Sequence, residues 1–390
     1  MKIAQAMNRL GTETAFEVLV RARALEAQGK NVIHLEIGEP DFTTPSNIIE
    51  AGVAALRAGH THYGPSAGLP ALRKEIAKQA SAFRGIDVSP DNIVVTTGAK
   101  PIMFYTILAL GEPGDEIIYP NPGFPIYESM INYTGAKAVP APLRESKNFR
   151  LDVEELAGLV NDRTTLIILN SPQNPTGAVI RRETLSAIAE MAARHNLLVI
   201  SDEIYEKLIY DGREHVSIGA LPGMRERTIT INGFSKAYSM TGWRLGYLAA
   251  PRELVAPMVK IREFMTSCPN TFAQHGAVAA LAGPREPVAR MHAEFARRRA
   301  LVVGRLSQID GVSCVMPGGA FYAFPNVSAL GCADVEFAAG LLEQERVAVV
   351  PGSAFGENGS GHIRISYATA YDQLDEAMMR IERFVRASRR

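Results

Sequence analysis

From about residue 90 to residue 250, short apolar runs alternate with longer windows of helical periodicity. The runs "NIVVTTG", "DEIIYP", "TTLIILN", "LLVISDE", "RTITING" and "WRLGYLAA" read as strands. Between them, in "RRETLSAIAEMAARHN", Leu185, Ile188, Ala189 and Ala192 recur at the i, i+3, i+4, i+7 spacing of one helix face. Asp152 and Glu155 ahead of "LAGLV" have the form of a capping box with aspartate in the capping place. The runs at 165–170 and 197–201 are apolar without alternation, as expected when helices cover both faces of a mainly parallel sheet. This pattern predicts an α/β domain.

Beyond residue 283 the texture changes. A charged amphipathic window from Glu286 to Ile309 is long enough to bridge two domains, and "CVMPGGAFYAFPNV", a helix near 334–346 and the strand "HIRISYA" follow it. In the last helical window Leu374, Met378, Ile381 and Val385 share a face. No repeat, low-complexity tract or Gly/Ser linker separates the parts, so the second domain should pack tightly on the first.

Composition narrows the function. With 390 residues, 47% of them apolar, the chain can bury a large core, and 41 basic against 41 acidic residues leave no cationic excess for nucleic acid or an acidic membrane. Small-molecule ligands are therefore expected. Cys268, Cys314 and Cys332 fit neither a zinc spacing nor a disulfide framework, and no secretory signal or membrane-length apolar span is seen. A cytoplasmic protein without a metal is the resulting expectation.

In open α/β sheets, ligands bind outside the carboxyl ends of the strands. Those ends carry Asn170 before "SPQNPTG", Asp202 with Tyr205 three residues on, Ser235 and Lys236 after "TITINGF", and Gly98, Ala99 and Lys100 before a helical window. A glycine turn opening a helix seats phosphate well, although strand, glycine and helix often follow one another without any ligand. There is no P-loop, GxGxxG fingerprint or HExxH motif. A lysine at the end of a buried strand is unexpected, because its charge is costly to desolvate. It either snorkels to water or is needed for chemistry.

The motifs "IGEPDF" (37–42), "HYGPSAGLPALR" (62–73), "GAK" (98–100), "PNPGFPIY" (120–127), "NSPQNPTG" (170–177), "SDEIY" (201–205), "GFSKAYSMTGWRLGY" (233–247) and "HIRISYA" (362–368) run through nearly the whole chain. In this order it resembles the fold type I pyridoxal-phosphate (PLP) aminotransferases, the aspartate, alanine and aromatic aminotransferase family. The resemblance implies a large cofactor domain over 43–290 and a smaller α/β domain made of 1–42 and 291–390.

It also implies roles. Lys236 would form the Schiff base with PLP and then carry the substrate's α-proton. Asp202, which alone would read as a helix cap, would pair with the pyridinium nitrogen. Tyr205 and Asn174 would hydrogen-bond the cofactor's 3′ oxygen; by themselves they read as a core tyrosine and a turn former. Arg244 and Ser235, with the backbone of Gly98, Ala99 and Lys100, would hold the phosphate. Phe124 would stack on the ring, and Tyr63 would reach the phosphate from the other subunit of a homodimer.

Arg364, otherwise a structural ion-pair partner, would fork onto the substrate α-carboxylate, with the Gly38 N–H beside it. Residues 11–42 would return to cover the site, and Phe16 and Tyr322 are candidates to line the side-chain pocket. The implied activity is ping-pong transfer of an amino group from an L-α-amino acid of alanine, aspartate or aromatic type to a 2-oxo acid such as 2-oxoglutarate. Two alternatives share the scaffold: a β-eliminating C–S lyase, and a non-enzymatic sensor. The sensor would need a DNA-binding segment ahead of the amino-terminal arm.

Overall fold

A computed structural model describes residues 2–388. Its central sheet has seven strands: β1 (Ile93–Thr96), β2 (Glu116–Asn121), β3 (Lys137–Pro142), β4 (Thr164–Asn170), β5 (Leu198–Asp202), β6 (Thr228–Gly233) and β7 (Gly246–Ala249). Their order is β1-β7-β6-β5-β4-β2-β3. The pairs β2/β3, β2/β4, β4/β5 and β5/β6 are parallel, whereas β7 runs antiparallel to both β6 and β1. Reversing twice returns β1 to the direction of β6. The carboxyl ends of β1, β4, β5 and β6 thus share one edge, the condition for their polar residues to meet.

Strands β1, β2 and β6 are buried at every position, matching their continuous apolar character. The strand missed in the sequence is β3, "KAVPAP", whose two prolines read as loop. It lies at the sheet edge, where a missing N–H costs no ladder bond. The predicted cap at 152–155 forms only in part. Asp152 accepts the Glu155 N–H at 3.0 Å, but the Glu155 carboxylate turns away to the Arg144 guanidinium at 2.5 and 2.7 Å.

A second, antiparallel sheet joins β8 (Tyr322–Ala323), β9 (Val350–Pro351) and β10 (Ile363–Ser366) in the order β9-β10-β8. The helix Glu286–Leu306 leads to it and buries Met291, Phe295, Val302 and Leu306 against this part of the protein. The predicted face of the last helix, Tyr371–Ser388, is buried at Leu374, Met378, Ile381 and Val385. The amino-terminal segment docks here as well. Ile33–His34 pairs in parallel with Val347–Ala348, Arg298 forks onto Asp41 at 2.7 and 3.0 Å, and Phe42 sets its edge on Phe295. These contacts hold "IGEPDF" over the carboxyl edge of the large sheet. Among the described residues no helix is long and apolar enough to cross a membrane.

Candidate active site

At that edge lies a cleft of about 370 Å³. Its lining includes Phe16, Gly38, Ala99, Lys100, Phe124, Asn174, Asp202, Tyr205, Ser235, Lys236, Arg244, Tyr322 and Arg364, so most of the residues singled out in the sequence meet in one place. Gly98 abuts it: a Cβ there would lie 2.3 Å from Arg244 Nη2, and its φ of +93° suits glycine. Tyr63 is apart from the rest. It is 89% exposed and absent from the cleft of its own chain.

Lys236 sits in the turn that follows β6 and donates Nζ–H to the Gly38 carbonyl at 2.5 Å. Burial depresses its pKa to about 8, helped by the charges of Arg364, Arg244 and Lys100 and opposed by Glu39. A sizeable share of the amine is therefore neutral near physiological pH, as a nucleophile requires. Asp202 is only 3% exposed, and burial lifts its carboxyl to about 6. Tyr127 Oη donates to its Oδ2 at 2.7 Å and the Ile204 N–H to its Oδ1 at 3.2 Å, both limiting that rise.

Asn170, at the end of β4, clamps this edge. Its Nδ2 donates to the Asp202 carbonyl at 3.1 Å, and its Oδ1 accepts the Asn174 N–H at 2.9 Å. Asn174 Oδ1 in turn accepts from Arg364 Nη1 at 3.0 Å, while Arg364 Nη2 donates to the Glu36 carbonyl at 2.5 Å. The Arg364 guanidinium lies over the Tyr322 and Phe355 rings at 4.6 and 4.8 Å from their centroids. It is 4% exposed, its Nε has no partner, and no carboxylate forms an ion pair with it among the described residues. A buried guanidinium without an anion is a ready seat for one. Gly38 faces the same place: a Cβ there would fall 1.9 Å from Tyr322 Oη, so only glycine lets this backbone so near.

Three contributors escaped sequence reading. Tyr127 ends the motif "PNPGFPIY", and its position three residues after Phe124, one turn along a helix start, was the available signal. Glu13, in the amino-terminal arm, pairs with the Lys100 amine, and Glu39 accepts from the Thr241 hydroxyl. Both lie far from their partners in sequence and carry no local signature. "GPSAG" at 64–68 also spells the GxSxG pattern of serine hydrolases, but it forms a turn leading into the helix Pro70–Arg84 with no strand before it, so it is no nucleophile elbow.

The donor set fits PLP. A buried carboxylate faces the same cleft as a lysine of lowered pKa. The Ala99 and Lys100 N–H groups at the start of the helix Lys100–Leu110 lie beside Arg244, which makes no ion pair among the described residues. With the seven-stranded sheet, these features define a PLP-dependent transferase of the α/β type. The chain belongs to the class I and II aminotransferases, whose family model matches residues 30–381.

It is 42% identical to an aspartate aminotransferase of Geobacillus stearothermophilus, over 99% of this chain and 100% of that one. It is 44% identical to an aromatic-amino-acid aminotransferase of Thermococcus litoralis, over 92% and 93% of the two chains. Among solved structures, the aspartate aminotransferase of Thermus thermophilus with maleate superposes with a TM-score of 0.94 at 36% identity, covering 98% of this chain and 100% of that one. This protein is thus a PLP-dependent aminotransferase.

Proposed function

We propose that the enzyme transaminates a dicarboxylic amino acid, L-aspartate or L-glutamate, against a 2-oxo acid such as 2-oxoglutarate. One observation carries this reading. Four cations line the cleft, and three have evident tasks: Lys236 as the amine, Arg244 at the glycine turn and Arg364 as the buried fork. The Lys100 ammonium is left over. It stands between Phe16 and Phe124, 5.7 and 5.4 Å from their centroids, and among the described residues is neutralised only by Glu13 of the amino-terminal arm. A substrate's distal carboxylate that displaces Glu13 would take over this ion pair, while an apolar side chain would lie between the two rings with the pair intact. The relatives named for aspartate and for aromatic substrates are consistent with a pocket of this kind.

When bound, PLP supplies an electron sink that acidifies the substrate's α-carbon. The chain does the rest. Arg364 and the Gly38 N–H hold the α-carboxylate and turn the Cα–H toward Lys236, whose neutral amine takes the proton and returns it. Asp202, kept ionised with the help of Tyr127, would keep the ring nitrogen protonated. Tyr205 and Asn174 would hydrogen-bond the ring's oxygen, Phe124 would stack on the ring, and Arg244, Ser235 and the Gly98–Lys100 backbone would bind the phosphate. Tyr63, exposed on its own chain, reaches the phosphate of a second copy, so the working unit is a homodimer. We further divide the chain into 43–290 and the pair 1–42 with 291–390, because the strand Ile33–His34 joins Val347–Ala348. The free thiols of Cys268, Cys314 and Cys332 suit a cytoplasmic location.

Substituting Lys100→Met tests the substrate assignment. The expected result is a loss of about tenfold or more in kcat/KM for aspartate and glutamate with little change for phenylalanine. Equal losses for all donors would overturn it.

A further inference from the structure

Behind the lysine turn lies a second cavity, of about 510 Å³, that shares no lining residue with the cofactor cleft. The two meet back to back. Asn232, Gly233, Phe234, Ala237 and Tyr238 line the second cavity, and the intervening Ser235 and Lys236 line the cleft. Its origin is visible in β6, where Ile229 and Ile231 enter the apolar core while Thr228, Thr230 and Asn232 alternate onto the opposite face. The remaining walls come from the ends of the helices Pro70–Arg84 and Thr271–Ala282, from Tyr247 of β7, from Glu206 and Lys207 after β5, and from the start of the helix Glu286–Leu306.

The chemistry of this space is lopsided. Asn232 is 3% exposed, yet its Nδ2 has no hydrogen-bond partner among the described residues; its Oδ1 accepts the Gly233 N–H at 2.7 Å. Leaving a buried amide donor unpaired is costly unless something enters to accept from it. Arg84 Nε is likewise buried and unpaired, although Arg84 Nη2 approaches Glu203 at 3.6 Å. Lys207 is matched by Glu206 at 3.4 Å, whereas Arg285 stands at the rim with no ion pair among the described residues. The surplus is of donors and of positive charge. Phe83, Phe234, Ala280 and Val288 supply apolar wall, so the cavity combines a fatty floor with cationic donors at its edge.

We propose that this cavity is a second ligand site, taking a small aromatic carboxylate whose ring lies on the apolar wall and whose oxygens accept from Asn232 Nδ2 and pair with Arg285. The volume falls within the range of small-molecule pockets. The apolar wall, two of whose members are the Phe83 and Phe234 rings, favours an aromatic body over a bare inorganic anion, which would leave that wall unfilled.

Calorimetric titration of the PLP-loaded enzyme with 2-naphthoate tests the proposal. Arg364→Ala removes the anion seat of the cofactor cleft. Arg285→Glu reverses an exposed charge without touching the core, and Asn232→Asp keeps the bond to Gly233 while exchanging donor for acceptor. The expected result is binding that persists in Arg364→Ala and weakens about tenfold or more in both Arg285→Glu and Asn232→Asp. Absence of binding up to about 1 mM, its loss in Arg364→Ala, or unchanged affinity in either of the other two variants overturns the proposal.

Discussion

Tyr127 Oη donates to Asp202 Oδ2 at 2.7 Å, inside a cleft wall where both side chains are buried. This bond partly offsets the desolvation that lifts Asp202 to about 6 and so favours the ionised carboxylate that its proposed role at the ring nitrogen needs. Hydrogen bonds to charged groups contribute roughly 1.5–3 kcal/mol. In Tyr127→Phe the Asp202 pKa rises further, so PLP should bind about tenfold more weakly, with a larger deficit at pH 6 than at pH 8. Titration of the cofactor-free protein with PLP, followed by absorbance, measures this; an unchanged affinity at both pH values would refute the assigned role.

Lys236 and Glu39 are coupled in the opposite sense. Glu39 is the group that raises the lysine's pKa against burial and three cations. In the cofactor-free protein the rate of PLP recombination should rise through about pH 8 as the neutral amine appears. In Glu39→Gln that inflection should move to lower pH. An inflection that stays in place would mean that the Glu39 charge is screened from the amine.

The same lysine should cost stability. Its native pKa of about 8 lies below the ordinary 10.5, so the native state holds fewer protons than the unfolded chain between these values, and the penalty is complete below pH 8. Allowing for the solvent that reaches the amine, we expect the cofactor-free Lys236→Met variant to exceed the parent by about 2 kcal/mol at pH 7. The gap should close as pH rises from 8 toward 10.5. Urea denaturation at several pH values measures it, and a gap independent of pH would trace the effect to packing instead.

How far sequence reached is clear from individual residues. Lys236, Asp202 and Asn174 were legible because each sits in a short motif at or just past a strand end of the parallel sheet, which brings such ends to one edge, and Arg364 because an arginine inside the apolar strand "HIRISYA" needs an anion. Strand β3 was not, since an edge strand tolerates the prolines that argue against a strand elsewhere. Glu13 and Glu39 were hidden for a different reason: they reach the cleft through long-range docking of the amino-terminal segment, such as Arg298 on Asp41, 257 residues apart, and Gly11 on Ser129. Tyr127 shows a third kind of limit. Its motif was noticed, but nothing in the sequence says that its hydroxyl would meet Asp202, 75 residues on.

Arg364 is held by Asn174 and the Glu36 carbonyl on one side and by the Tyr322 and Phe355 rings around its plane. This packing fixes the guanidinium fork before any carboxylate arrives, and a lysine cannot reproduce it, being a point charge on a flexible stem. Arg364→Lys should therefore raise KM for the amino acid by about tenfold to a hundredfold and also lower kcat, because a tilted substrate presents its Cα–H away from Lys236. PLP affinity should be unaffected, since the role proposed for Arg364 is to hold the substrate and not the phosphate. Steady-state kinetics set beside a cofactor titration separates these effects, and a parallel loss of PLP would show that Arg364 supports the cofactor instead of the substrate.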